Sequence, residues 1–197
     1  VRVGLLAAAF RPAFWFARKR YHIYRADSEV ILGAKLLEPG LAFEFRCISL
    51  ANANGSGEFI QIDAALSEFL SDALRITIRK AMRLGGTLVV AIAPTNGQIA
   101  ACWVIYSETA ERNILALRDD ELYVGNAYTQ PSYRGLGLQA TTLQQGLKHL
   151  RAHDKLKRTV TAIVRPDNEA SLRGLAKVGF RIEGGFIEQR LFRFVRL

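Results

Sequence analysis

The sequence predicts an α/β domain of the α+β kind: a mostly antiparallel mixed sheet that holds one parallel pair and carries helices on its flanks. Three observations point to it. Asn96-Gly97 separates two branched, apolar runs, Leu88 to Ala93 and Ile99 to Tyr106, and Asn-Gly in that setting is the strongest short-range hairpin signal. Further along, strand-like Glu121 to Thr129 and Thr159 to Val164 flank a helical stretch from Gly137 to His153, the order expected of two parallel strands joined by a right-handed crossover helix. Finally, the elements run strand, helix, hairpin, strand, helix, strand, helix, hairpin, a mixed order that suits neither an all-β nor a doubly wound architecture.

Taken in order, Tyr21 to Ala26 and Leu41 to Leu50 are rich in aromatic and branched residues and read as strands. Pro39-Gly40 precedes the second, and the turn residues from Asn52 to Gly57 close it. From Asp63 to Leu84, Leu66, Phe69, Leu70, Ala73, Leu74, Ile78, Ala81 and Met82 recur every three or four residues, so this stretch predicts one amphipathic helix ended by Gly85-Gly86. After the crossover unit, Asp167 to Val178 is helical, and Phe180 to Leu197 reads as a hairpin broken at Gly184-Gly185. No internal repeat is visible.

A length of 197 residues suits one domain with a small extension. With 50% apolar and 10% aromatic residues, disorder is excluded for most of the chain. Lys and Arg number 27 against 18 acids, a net +9 that points to anionic company without specifying a fold. Six of the positive charges, Arg2, Arg11, Arg18, Lys19, Arg20 and Arg25, fall in the first 25 residues, which hold no acid. The apolar run from Val3 to Phe10 stops at Arg11-Pro12, short of the roughly 20 residues a membrane span needs. Residues 1–40 are therefore read as a basic, aromatic extension of a domain over 41–197. That extension either anchors at a membrane surface through Trp15 and its neighbouring phenylalanines or packs on its own domain or a second subunit, as in a homodimer. Packing is preferred, because aromatics more often fill cores. Cys47 and Cys102 sit in apolar strands and read as buried thiols of a reducing, cytoplasmic compartment. His149 and His153 lack the intervening Glu of the metalloprotease motif, and no metal site is expected.

The chemistry concentrates in Gln130-Pro131-Ser132-Tyr133-Arg134-Gly135-Leu136-Gly137-Leu138-Gln139-Ala140, between a strand and a helix. Gly135 and Gly137 let the main chain approach a ligand closely. The helix start offers unsatisfied N–H groups and the positive end of its dipole, and Arg134 adds a full charge beside them, the composition of a phosphate or pyrophosphate cradle. An ordinary tight strand-to-helix connection is the plainer alternative.

This segment resembles the acyl-CoA signature of the GCN5-related N-acetyltransferase superfamily: Arg or Gln, two residues, Gly, one residue, then Gly or Ala. Arg134 and Gly137 fill the first two positions, and Gln139 replaces the small residue at the third. A second motif, Asn168 followed by a small-residue helix and Lys177-Val178-Gly179-Phe180, is similar to that superfamily's downstream half. The two together cover roughly 60 residues, from Glu121 to Phe180.

The resemblance implies an acyl-CoA-dependent N-acyltransferase that uses acetyl-CoA and a primary amine, with no metal. The superfamily's fourth and fifth strands splay, and pantetheine lies between them on exposed main chain. By position these groups belong to Ala127, Tyr128 and Thr129, with pyrophosphate on Arg134 to Ala140 and Asn168 and Ser171 on the opposite wall. Glu121 occupies the position at which the histone-acetylating branch places its base, and Glu108 acting through water is the alternative. Leu175 stands where a proton-donating tyrosine is usual, which leaves Tyr128 or Tyr133 to supply the thiolate's proton, or the thiolate to leave unassisted. Two rival readings are weaker. Gly135-Leu136-Gly137-Leu138-Gln139-Ala140 also fits a dinucleotide fingerprint, but residues intervene after the strand and the acid about 20 residues on is missing. A non-enzymatic module that binds nucleic acid or membrane with its basic surface is disfavoured, because the charges are spread rather than clustered among aromatics.

Overall fold

The computed structural model describes residues 14–36, 42–50, 55–106 and 117–193. β3 (Thr87–Ile92) and β4 (Ile99–Tyr106) are apolar at every position but Thr87 and buried along their whole lengths. Strands of that composition belong at the centre of a sheet covered on both faces. They lie within a seven-stranded sheet in the order β2-β3-β4-β5-β6-β1-β7, built with β1 (Phe14–Asp27), β2 (Glu44–Ser49), β5 (Glu121–Thr129), β6 (Thr159–Val164) and β7 (Arg181–Arg193). Every neighbouring pair is antiparallel except β5 and β6.

The alternation of β3 divides the core. Leu88 and Val90 face a cluster with α2 (Gly55–Leu66) and α3 (Asp72–Arg83), which contribute Leu66, Ile78 and Met82. Val89 faces the other side with Trp103 and Ile105, against Leu143, Leu147 and Leu150 of α4 (Leu138–Ala152) and Leu175 of α5 (Glu169–Lys177). The short α1 (Ser28–Gly33) joins this second layer. Buried Gln144 of α4 holds it there, donating from Nε2 to the carbonyls of Ile31, Leu32 and Ala34. No helix among the described residues is long and apolar enough to cross a membrane.

Two expectations are corrected and two are made more specific. The single helix over Asp63 to Leu84 is two helices. Ser67 Oγ donates to the Ala64 carbonyl, and Ser71 caps α3 by accepting from Leu74 N–H, so local side-chain bonds break the period. The hairpin expected at Asn96-Gly97 joins β3 to β4, through a four-residue loop closed by Ala93 N–H to the Gln98 carbonyl in which only Gly97 takes positive φ. The C-terminal hairpin is one strand, β7, with Gly185 and Gly184 paired to His22 and Ile23 and a register shift at Glu183 before Ile182 meets Tyr24. Its partner is β1, which runs between β7 and β6. Residues 14–27, within the stretch read as an extension, are therefore interior to the sheet. Arg2, Arg11 and the run from Val3 to Phe10 lie outside the described residues, as do Glu108 and most of the turn after Leu50.

Candidate active site

The two halves of β5 have different partners. Glu121 to Val124 pair with Thr159 to Ala162 of β6, and the pairing stops there. From Gly125 to Thr129, the edge that faces β6 has no strand partner, so its main-chain N–H and C=O groups are offered to whatever lies between the strands. On the other edge, a bulge places Asn126 and Ala127 opposite Trp103, with the register passing from Val104↔Gly125 to Cys102↔Tyr128. Asn126 takes φ 52°, and its Nδ2 donates to the Tyr106 hydroxyl.

Beyond β5, a 3₁₀ turn over Pro131–Tyr133 leads to Gly135 and Gly137, both at positive φ. Gly137 is the N-cap of α4, and no side chain caps that helix. A glycine cap leaves the first-turn N–H groups and the positive end of the helix dipole open to an anion. Two anchors fix this turn. Trp103 Nε1 donates to the Gln139 carbonyl at 2.7 Å, and Gln130 Nε2 donates to the Ile99 carbonyl at 2.7 Å. Across from it, Asn168 caps α5 by accepting from Ser171 N–H at 3.2 Å.

Between these walls runs a groove of about 540 Å³. It brings together Ala127, Tyr128 and Thr129 with Arg134, Gly135, Gly137, Leu138, Gln139 and Ala140, and with Asn168 and Ser171. Leu136 alone of the loop residues does not line it. Its side chain packs instead with Tyr133 beside Phe43 and Leu138. Arg134, whose Nε donates to the Thr129 carbonyl, shares the groove with Arg173 and Lys177, a basic rim that the two motifs bring to opposite walls. Gln139 reaches toward α5: a Cβ at Gly174 would stand 2.8 Å from Gln139 Oε1. The absence of a side chain at 174 thus accommodates the long residue at 139.

The two residues expected to carry proton transfer lie far apart. Tyr128 lines the groove and stacks on Phe69, with ring centroids 5.2 Å apart. Glu121 begins the same strand, seven residues earlier, or roughly 20 Å along it. It is fully buried and does not face the groove. Its Oε1 meets Arg25 Nε at 2.6 Å and Arg118 Nη2 at 3.0 Å, while Oε2 accepts from Arg118 N–H at 2.9 Å. This carboxylate ties β1 to β5.

Three residues that sequence reasoning passed over shape the site: Trp103, Asn126 and Tyr106. The bulge that gives Asn126 its role leaves no mark in the apolar pattern. Cys102, beside the bulge, is fully buried, and that burial pushes its thiol up to about 12, which suits packing and not nucleophilic attack.

Comparison with known proteins follows the same lines. The profile of the Acetyltransferase (GNAT) family matches residues 59–180, more than half of the chain. Similar solved structures include a Drosophila protein (14% identity, TM-score 0.62, covering 90% of this chain and 52% of that one). A tandem GNAT protein from the clavulanic acid biosynthesis pathway is 13% identical, with TM-score 0.58 and coverage of 87% and 53%. A GNAT-family acetyltransferase from Colwellia psychrerythraea is 17% identical, with TM-score 0.53 and coverage of 91% and 57%. At these identities the likeness is one of fold. The chain spans little more than half the length of each of these three structures. No curated protein matches it by sequence.

Proposed function

Since the chain belongs to the GNAT acetyltransferase family, we propose that it transfers an acetyl group from acetyl-CoA to a primary amine, using the groove between β5 and β6. One observation carries this reading: the strand edge of Gly125 to Thr129, the uncapped start of α4 and the basic rim of α5 open into a single space. Each supplies what a different part of an acyl-CoA needs. The free strand edge suits the amide-bearing pantetheine arm, since it bonds a linear chain of donors and acceptors as another strand would. The first turn of α4, with Arg134, suits pyrophosphate. Arg173 and Lys177 add positive charge for the remaining phosphate.

In the transfer, the amine nitrogen attacks the thioester carbonyl, the C–S bond breaks, the nitrogen loses a proton and the thiolate gains one. The protein positions both reactants, and N–H groups of the unpaired edge of β5 stabilise the developing oxyanion. No carboxylate lines the groove among the described residues. The amine's proton is therefore assigned to solvent, and Tyr128, which lines the groove, is assigned as donor to the thiolate. Glu121 is assigned a positioning role, holding β5 against β1 from outside the groove.

Titration with acetyl-CoA, followed by a CoA-release assay on an alkylamine, an amino sugar, a peptide amino terminus and a protein lysine, tests the reading. Saturable acetyl-CoA binding with release stimulated by at least one amine is expected. Absence of acetyl-CoA binding would overturn it.

A further inference from the structure

A second concavity, of about 630 Å³, lies between α2 and α3 and shares no lining residue with the donor groove. One wall is apolar, made by Leu50, Phe59 and Ile60, and the other carries Arg75, Arg79 and Arg83. The arginines recur at i, i+4 and i+8, so they form one stripe along roughly 12 Å of α3. A single carboxylate, Asp63, lines the same space. It accepts from Arg75 Nη2 at 3.0 Å and from Arg79 Nε at 3.1 Å. Burial alone raises its pKa, but hydrogen bonds from Arg79 and Arg75, together with their charges, hold it below the ordinary carboxylate value. Asp72 also reaches Arg75, at 3.4 Å, from a solvated position outside the groove. Arg83 is exposed and has no ion pair or side-chain hydrogen bond among the described residues.

Three guanidinium groups face one lining carboxylate, with Asp72 offsetting part of the Arg75 charge from outside, which leaves an excess of between one and two positive charges. On a bare helix, like charges one turn apart are destabilising, so the arrangement is best relieved by an anion. The opposite wall narrows the choice. Ile60 is 68% exposed although it stands in a concave site, and an inorganic ion leaves that surface wet.

We propose that this groove binds a phosphate monoester carried on an apolar or aromatic body. Such a group bears about −1.5 to −2 charge at neutral pH, which covers the excess, whereas a single carboxylate brings one charge and two oxygens. Its three terminal oxygens suit the fork geometry of arginine. The body attached to it covers Phe59 and Ile60. Since the pocket is separate from the donor groove, this site stands whether or not the acetyl-transfer reading does.

The test is calorimetric titration with phenyl phosphate as probe and benzoate and inorganic phosphate as comparators, on the wild type, Arg83→Gln and Arg134→Ala. Because Arg83 is exposed and unpaired, its replacement leaves the fold intact, which the thermal midpoint checks. Phenyl phosphate should bind more tightly than either comparator. Arg83→Gln should weaken it by about tenfold, the loss of one charge-assisted contact, and leave acetyl-CoA affinity unchanged. Binding that survives Arg83→Gln unaltered, or that is lost in Arg134→Ala because the probe sits in the donor groove, would overturn the proposal. So would no binding, or equal affinity for phenyl phosphate and either comparator.

Discussion

The first four residues of β5 and the last five belong to one strand and have opposite fates. Glu121 to Val124 are buried, all four paired with β6 and Tyr123 and Val124 with β4 as well, and Glu121 is tied by ion pairs to Arg25 and Arg118. Gly125 to Thr129 are half-buried, bulged and unpaired on one side. The difference shows how the fold makes a site from a strand. It pairs the strand with β6 at the buried end and leaves that edge without a strand partner where the proposed donor groove opens. On the proposed reading, the carboxylate at the closed end acts on architecture and the chemistry belongs to the open end.

The largest effect expected from breaking this contrast is at the closed end. Glu121→Ala removes the partner of two arginines and should lower unfolding free energy by about 3 kcal/mol, the low end for a buried pair because both arginines retain some exposure. Glu121→Gln keeps the shape and should cost less. Its turnover per folded molecule should stay within about threefold of wild type, whereas a base at this position predicts a loss of orders of magnitude. Chemical denaturation and kcat measured on the same preparations separate the two.

At the open end, Arg134→Ala should weaken acetyl-CoA binding by about tenfold with little change in the thermal midpoint, since Arg134 is exposed and its one side-chain bond is to the Thr129 carbonyl. Tyr106→Phe deprives Asn126 of its acceptor. A net hydrogen bond of about 1 kcal/mol corresponds to roughly fivefold, expected in kcat more than in the KM for acetyl-CoA, because the bulge sets where the oxyanion-binding edge points. Steady-state kinetics report the split. Gly174→Ala should have the smallest effect, less than about threefold on acetyl-CoA affinity, because the atom its Cβ meets is the mobile end of Gln139.

Much of this was legible in the sequence. The bounds read for Ile99 to Tyr106, Glu121 to Thr129 and Thr159 to Val164 coincide with β4, β5 and β6, because short runs rich in branched and aromatic residues, bounded by turn residues, mark strands. The loop from Arg134 to Ala140 was legible for a different reason, since glycines before a helix carry their own conformational message. What escaped depends on distant partners. No local pattern shows that Phe14–Asp27 enters the sheet between β6 and β7, or that the carboxylate of Glu121 meets Arg25 from that strand. Read alone, Glu121 has the right type and spacing for a base, and its partners Arg25 and Arg118 are what favour the positioning role proposed for it. The break between α2 and α3 was missed because Ser67 and Ser71 interrupt an apolar period that continues on both sides.

Amide hydrogen exchange with and without acetyl-CoA tests the central claim most directly. The account predicts new protection at Ala127 to Thr129 and in the segment from Gly135 to Ala140, with Glu121 to Val124, already paired, unchanged. Acetyl-CoA that binds without protecting the open half of β5, or that protects another surface, would contradict it.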